Sequence, residues 1–321
     1  MQRKPHAVAR STTPAIEVHQ LRKTYPGGVE AVKGIDFTVD AGEVFALLGP
    51  NGAGKSTTVG MLTTTIEPTA GSAWLGGFDV AVESLAARRI SSVVFQDPVV
   101  DRAPTGRRNL ELHARLWGAD GAGTSELVET LGLAKLLDRP ASTYSGGQRR
   151  RLEIARALVS RPQVLFLDEP AVGLDPRIRH ELLDVIAGLR ARGEMTILLT
   201  THYLDEAERL ADRVAIIRGG EIVALDTPTA LLGSLGRELV ELRVDGDAST
   251  ALAPLRARDL AGDDAFAVGS TLTVPLHDRS AAAAIAAVGE LGLVTTGISS
   301  RRPTLDDVYL RLTGDRLAAA A

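Results

Sequence analysis

Short continuous apolar runs recur along this chain, separated by longer amphipathic stretches. Val44-Phe45-Ala46-Leu47-Leu48, Ser91-Ser92-Val93-Val94-Phe95, Val164-Leu165-Phe166-Leu167 and residues 195–201 are such runs. Runs of this length, apolar at odd and even positions alike, suit strands buried on both faces, as in a parallel sheet. Helical patterns follow them. Residues 56–62 continue as a helix after the first run, 178–192 after the third and 205–211 after the fourth. Leu152, Ala155, Leu158 and Val159 give a further helix an i, i+3, i+6, i+7 face. Strands alternating with helices predict an α/β class with a mainly parallel sheet.

The remaining segments read differently. Residues 15–21 alternate as an opening strand, Lys23-Thr24-Tyr25-Pro26-Gly27-Gly28 reads as a turn, and 29–39 as a strand pair. A short strand is expected around Ala73-Trp74-Leu75. From 97 to 142 the pattern is helical, with Leu110, Leu112, Ala114 and Leu116 assigned to one face, so a helical subdomain (about 97–157) is inserted into the sheet domain. Residues 213–225 form a hairpin. Beyond a boundary near 232–236 the order is βαββαβ, a ferredoxin-like arrangement. A last helix carries Leu305, Val308, Tyr309 and Leu312 at i, i+3, i+4, i+7. The expected domains are a disordered tail (1–14), a sheet domain (15–232) and a small α+β accessory domain (233–321).

Candidate chemistry begins at Gly49-Pro50-Asn51-Gly52-Ala53-Gly54-Lys55-Ser56-Thr57, which has the form G-x-x-x-x-G-K-[ST] between a strand and a helix. Such a loop turns successive backbone N–H groups inward onto phosphate oxygens, and the helix N-terminus adds partial positive charge. Lys55 would reach the β- and γ-phosphates and the Ser56 hydroxyl would ligate Mg²⁺. The run through Leu167 ends in Asp168-Glu169, two carboxylates that would be costly to bury without a purpose; Asp168 facing a cation and Glu169 a water is the economical explanation. Several other residues read two ways. Tyr25 is either a surface aromatic or a stacking face for a nucleobase. Gln96 is a solvated strand end or a group delivered beside the nucleotide. Ser145-Gly146-Gly147 is a plain turn and helix cap taken alone, and His202 a structural histidine taken alone. Arg149-Arg150-Arg151 reads as a solvated helix face.

Composition narrows the classes. There is no cysteine, which removes disulfides, thiol nucleophiles and Cys–zinc sites. The net charge of −4 argues against nucleic acid as main partner. No apolar stretch reaches membrane-spanning length, and the N-terminus lacks the apolar core of a secretory signal.

In their order, Tyr25, the loop 49–57, Gln96, Ser145-Gly146-Gly147-Gln148, Asp168-Glu169, Asp175 and His202 resemble the nucleotide-binding subunit of ATP-binding cassette (ABC) transporters over residues 15–232. The Ser-Gly-Gly-Gln signature ahead of a strand ending in Asp-Glu separates this family from kinases and GTPases. Phe95-Gln96-Asp97-Pro98, the stretch 105–110, Ser145 to Leu152 and Thr304-Leu305-Asp306-Asp307-Val308-Tyr309 are similar to the drug-exporter group typified by daunorubicin-resistance ATPases. Ala171 and Tyr144 depart from the commoner Thr and Leu of the family pattern.

The resemblance implies an ATPase using ATP and Mg²⁺. Tyr25 would stack on adenine, and loop amides with Lys55 would hold the phosphates. Ser56, Asp168 and nearby Gln96 would serve the metal. Glu169 would be the general base, and His202 would contact the γ-phosphate. Ser145, Gly146, Gly147 and Gln148 would cap ATP held by a second subunit, with Asp175 at the dimer contact. It also implies a homodimer or heterodimer of such subunits and a separate transmembrane permease. The chain would then lie peripherally on the cytoplasmic face of the membrane. A soluble cassette ATPase acting on ribosomes or DNA is the competing class. The single cassette, with Asp168 only 113 residues after Lys55, and the acidic balance disfavour it. A non-hydrolysing regulatory subunit is disfavoured by Glu169 and His202. The accessory domain reads as either a packing and dimer-stabilising element or a regulatory one. Nothing in the sequence identifies the cargo.

Overall fold

A computed structural model describes residues 13–97, 99–119, 124–191, 195–277, 279–289 and 295–314. The expected N-terminal tail therefore lies, up to residue 12, outside the described residues. So do Pro98 and the outer end of the helix expected to reach Arg192.

The chain opens with β1 (Ile16–Tyr25) and β2 (Val29–Val39), then β3 (Val44–Leu48), α1 (Lys55–Leu62), β4 (Ala70–Leu75), β5 (Phe78–Asp79), α2 (Ser84–Ile90) and β6 (Ser91–Val94). A helical stretch follows with α3 (Gly106–Leu116), α4 (Thr124–Thr130) and α5 (Gly146–Val159). The sheet resumes through β7 (Val164–Asp168), α6 (Pro176–Ala191), β8 (Thr196–Thr201), α7 (Leu204–Leu210), β9 (Arg213–Arg218) and β10 (Glu221–Asp226), and α8 (Pro228–Gly233) leads out. The C-terminal part holds β11 (Glu238–Val244), α9 (Leu252–Ala257), β12 (Phe266–Val268), β13 (Thr271–Leu276), α10 (Ala281–Gly289), β14 (Thr295–Arg301) and α11 (Leu305–Thr313).

The central sheet runs β10-β9-β3-β8-β7-β6, with β10 antiparallel to β9 and the other pairings parallel. All five residues of β3 and of β7 are buried, and the two faces go to different cores. Val44, Ala46, Leu48, Leu165 and Leu167 join a core shared with α5, α6 and α7. Phe45, Leu47, Val164 and Phe166 join one shared with α1 and the antiparallel sheet β2-β1-β4-β5. That division explains the unbroken apolar runs, since neither face meets water.

Three local expectations are corrected. Residues 29–39 form one strand, not two; Gly34, at φ 92°, sits beside a register shift opposite Leu21 and Arg22, a bulge that keeps the strand continuous. Tyr25 is the last residue of β1, paired with Val29, so the turn is confined to Pro26-Gly27-Gly28. On α3, Leu110 is 3% exposed whereas Leu112 is 49% and Leu116 75% exposed. Residues two apart cannot share a face at 3.6 residues per turn.

The C-terminal sheet runs β12-β13-β11-β14, antiparallel throughout. β13 lies between β11 and β12, the split βαβ arrangement of the ferredoxin-like order. α9 and α10 cover one face through Val240, Leu242, Leu255, Leu272, Val274, Ala284 and Val288. α11 turns back: Leu305, Val308 and Tyr309 share a core with Leu210, Leu231, Leu235 and Leu239. Its start is fixed by Thr304 and Asp307 in a capping box, and Arg301 binds Asp307 and Glu241.

Candidate functional site

The loop between β3 and α1 is built on Gly54, which caps α1 at φ 106° with no side-chain cap bond. A Cβ there would lie 2.4 Å from Ala31 O, so only glycine fits. With the loop curled this way, the first-turn N–H groups of α1 keep no intrahelical acceptor, the arrangement that suits phosphate oxygens.

Because β3, β8 and β7 are neighbours in parallel register, their carboxyl ends meet. Three functional segments are thereby placed side by side. Lys55, 3% exposed, extends its Nζ to Gly49 O (2.8 Å), Pro50 O (3.0 Å) and Glu169 Oε1 (2.8 Å). The other Glu169 oxygen lies 2.8 Å from His202 Nδ1. Glu169 itself has φ 44°, a strained conformation for a residue with a side chain, fixed by its N–H donating to the Thr200 carbonyl and hydroxyl. Thr200 also donates to Asp168 Oδ1 at 2.6 Å, and the Ser56 hydroxyl donates to the same oxygen at 3.1 Å.

These bonds bring Lys55, Ser56, Asp168, Glu169 and His202 into one connected group. Ser56 and Asp168 converge with a hydroxyl and a single carboxylate, and among the described residues no group of three His, Cys, Asp or Glu forms a cage. Hard oxygen donors in so small a number fit Mg²⁺, which retains waters and takes substrate phosphate oxygens for its remaining positions. Ser56 and Asp168 are the residues that would hold it.

Tyr25 stands at the rim, its hydroxyl 3.4 Å from Thr57 Oγ1 and its ring beneath Lys23 Nζ at 5.3 Å. Gln96 is exposed, two residues past β6. Among the described residues no hydrogen bond joins its side chain to the group above, while its backbone carbonyl accepts from Arg150 at 2.8 Å.

Ser145, Gly146, Gly147 and Gln148 form a second cluster. Ser145 caps α5 and Gln148 bonds back to it, a reciprocal capping box. Gly147 rests on Ile178, where a Cβ would come within 2.1 Å of Cγ2, and Gly146 rests on Leu174. Asp175 accepts from Ile178 N and so starts α6. Ser145, Gly146 and Asp175 are exposed, and among the described residues no hydrogen bond or ion pair joins this cluster to the loop 49–57. Tyr144, the departure from the family's Leu, is buried and donates its hydroxyl to Leu136 O.

The arginine run is not a solvated face. Arg150 is 5% exposed, Arg149 donates to Tyr144 O and Arg151 pairs with Glu181. A second buried cluster was not expected from sequence either. Glu206, 1% exposed, accepts from Thr201 Oγ1 at 2.7 Å, and Arg179 lies 3.4 Å from its other oxygen. Arg179 also pairs with Asp205 and stacks over Tyr203 at 4.1 Å. Burial pushes the Glu206 carboxyl up to about 7, against the opposing pull of Thr201 and Arg179. The available sequence signal was a Thr at each of two adjacent strand-end positions.

The ABC transporter family profile matches residues 32–172. The chain is 42% identical over 312 residues to the daunorubicin/doxorubicin resistance ATP-binding protein DrrA of Streptomyces peucetius, covering 94% of this chain and 93% of that protein. It is 40% identical over 319 residues to the doxorubicin resistance ATP-binding protein DrrA of Mycobacterium tuberculosis, covering 95% and 96%. A solved ATP-binding subunit of an ABC transporter superposes with a TM-score of 0.61 at 30% identity, over 68% of this chain and 92% of that one.

Proposed function

The chain belongs to the ABC transporter family as an ATP-hydrolysing cassette, and from that premise we propose that it drives export of drug-like or lipophilic compounds through a separate membrane-spanning permease. The observation carrying the catalytic part is the Lys55–Glu169–His202 chain at the sheet's carboxyl ends. Loop amides and Lys55 bind the β- and γ-phosphates, and Tyr25 offers its ring to the base. Ser56 and Asp168 would hold Mg²⁺, which would supply charge neutralisation on the phosphates. Glu169 takes a proton from the attacking water at a carboxylate oxygen. His202, with Nδ1 committed to Glu169, has only Nε2 left for a phosphate oxygen. Gln96 enters the site from the loop that follows the edge strand β6.

Ser145 and Gly147 serve a different nucleotide. Their helix N-terminus is exposed and unconnected to the chain's own loop, which supports a site completed by a second subunit, with Asp175 at the contact. ATP then joins two subunits, and loss of the γ-phosphate releases them. The family relationship supports a homodimer or a heterodimer equally.

The permease docks in a groove of about 590 Å³ between the sheet edge and the helical stretch, lined by Phe95, Val99, His113 and Trp117 among others. Leu112 and Leu116 stand exposed on α3 beside it. Among the described residues no helix is long and apolar enough to cross a membrane, consistent with a peripheral subunit at the cytoplasmic face. The names of the two resistance proteins support the drug-like cargo.

Affinity purification of the tagged chain from gently solubilised membranes tests the reading. A near-stoichiometric polytopic protein, crosslinking to 96–117, is the expected result. Recovery with ribosomes or DNA factors and no membrane protein overturns the exporter reading and leaves the ATPase standing. Crosslinks confined to residues 237–314 overturn the docking surface.

A further inference from the structure

β6 ends at Val94, so Phe95, Gln96 and Val99 lie beyond the sheet ladder. Backbone groups of these three residues bond to α5 instead. Arg150 donates through Nη1 to Phe95 O (2.6 Å) and through Nη2 to Gln96 O (2.8 Å). Glu153 accepts from Val99 N at 2.7 Å, and Arg156 donates to Val99 O at 2.9 Å. Arg150 and Glu153 are themselves paired at 3.0 Å. These three side chains recur at i, i+3 and i+6, one stripe along the helix whose first turn is the Ser145–Gln148 capping box.

Stability does not account for this stripe. Arg150 and Glu153 are 5% and 4% exposed. Burial depresses the ionisation of both: it lowers the Arg150 pKa and raises that of Glu153, each partly offset by the other's charge. A buried pair of this kind is often no more stabilising than apolar side chains of equal volume. What the pair supplies that apolar groups cannot is a forked set of donors and acceptors holding one loop in one register.

We propose that Arg150 and Glu153 are positioning residues for Gln96, fixing its place relative to the nucleotide and tying that place to the N-terminus of α5. The inference rests on the role given to Gln96 above. From Ser145 to Arg150 the helix advances about 7.5 Å, little more than one turn, a distance over which it behaves as a rigid rod. A shift of the signature end, when it meets the partner's ATP, is therefore handed to Phe95, Gln96 and Val99 directly. Closure of the dimer and insertion of Gln96 become one motion.

A double-mutant cycle on the full chain with MgATP tests this. Arg150→Lys keeps the charge but cannot fork between two carbonyls and Glu153. It is expected to lower kcat about tenfold when Gln96 is present and less than about twofold in a Gln96→Ala background, because the two act through one group. Glu153→Gln should show the same pattern at smaller amplitude, and it carries the cycle alone should Arg150→Lys fail to give a cooperative thermal transition. A second readout needs no turnover. In a Glu169→Gln background, the tightening of ATP binding on adding Mg²⁺, followed by calorimetry, should shrink severalfold with Arg150→Lys while Mg²⁺-free ATP affinity stays within about twofold. Equal losses of kcat in both Gln96 backgrounds, or no loss in either, overturn the positioning role. A Gln96→Ala chain with undiminished kcat removes the role of Gln96 itself and the inference with it.

Discussion

Lys55 Nζ lies 2.8 Å from Glu169 Oε1, with both side chains almost wholly buried. The carboxylate thus occupies the lysine proposed to bind the ATP phosphates, and on that reading the two negative groups compete for one cation. Glu169→Gln should bind ATP about tenfold more tightly, roughly 1.4 kcal/mol, because the competing charge is gone. Turnover should fall by about 10²–10⁴ as the general base is lost, and a dimer should accumulate in MgATP. Titration with labelled ATP and sedimentation check both; weaker binding, or a monomer at saturation, would contradict the competition. Lys55→Ala should lose tight binding altogether.

Tyr25 is joined to the loop through Thr57, yet touches none of the reacting groups. Tyr25→Ala should therefore raise the Kd for ATP by about tenfold, the order expected for one lost stacking face, and leave kcat at saturation within about twofold. Nucleotide titration and saturated rates separate the two effects.

Gly147 has no room for a side chain because Ile178 Cγ2 fills the position. Gly147→Ala should displace the capping turn from α6 and reduce ATPase activity by about 10²-fold, while ATP binding to the monomer stays within about twofold. Adding Ile178→Ala should recover part of the loss. A Gly147→Ala chain as active as the wild type would show that the turn tolerates the shift.

Glu206 makes stability depend on pH. Its folded pKa of about 7 lies above the ordinary value of 4.5, so the folded state binds the proton more tightly than the unfolded one. Stability from this group therefore falls as pH rises between those values, costs nothing below 4.5 and is lost in full above about 7. Glu206→Gln still accepts from Thr201 but carries no charge. Thermal melts should show no gain near pH 5 and a gain of a few degrees at pH 8, corresponding to roughly 3 kcal/mol at most. A difference shrinking as pH rises would contradict the sign.

The parallel strands and the phosphate loop were legible because each is written in adjacent residues. Phe45 and Leu47 face one core, Val44, Ala46 and Leu48 the other, and the run shows both. Lys55 and Asp168 could be picked out singly and His202 only through the family resemblance, but their meeting depends on strand order, which no local pattern contains. Arg150 was misread for a related reason. A charged residue between two arginines looks solvated until the carbonyls of Phe95 and Gln96, over 50 positions away, are seen to face it. Glu206 was hidden likewise, its partner Arg179 lying on another helix. Leu112 and Leu116 were assigned inward by counting apolar residues without checking the helical period.

α11 returns from the far side of the C-terminal sheet to place Leu305, Val308 and Tyr309 among Leu210, Leu231 and Leu235. Leu210 ends the helix that begins two residues after His202. A minimal cassette trimmed after β10 would thus be a wounded protein: Leu210, on the helix that follows His202, would lose its apolar cover, and such a fragment should be prone to clump. Leu305→Ala in the intact chain, at about 2–5 kcal/mol, would be the milder form of the same injury. For anyone wishing to graft this engine onto another permease, the ninety-odd residues beyond the hairpin travel with it as a structural necessity, whatever else they do.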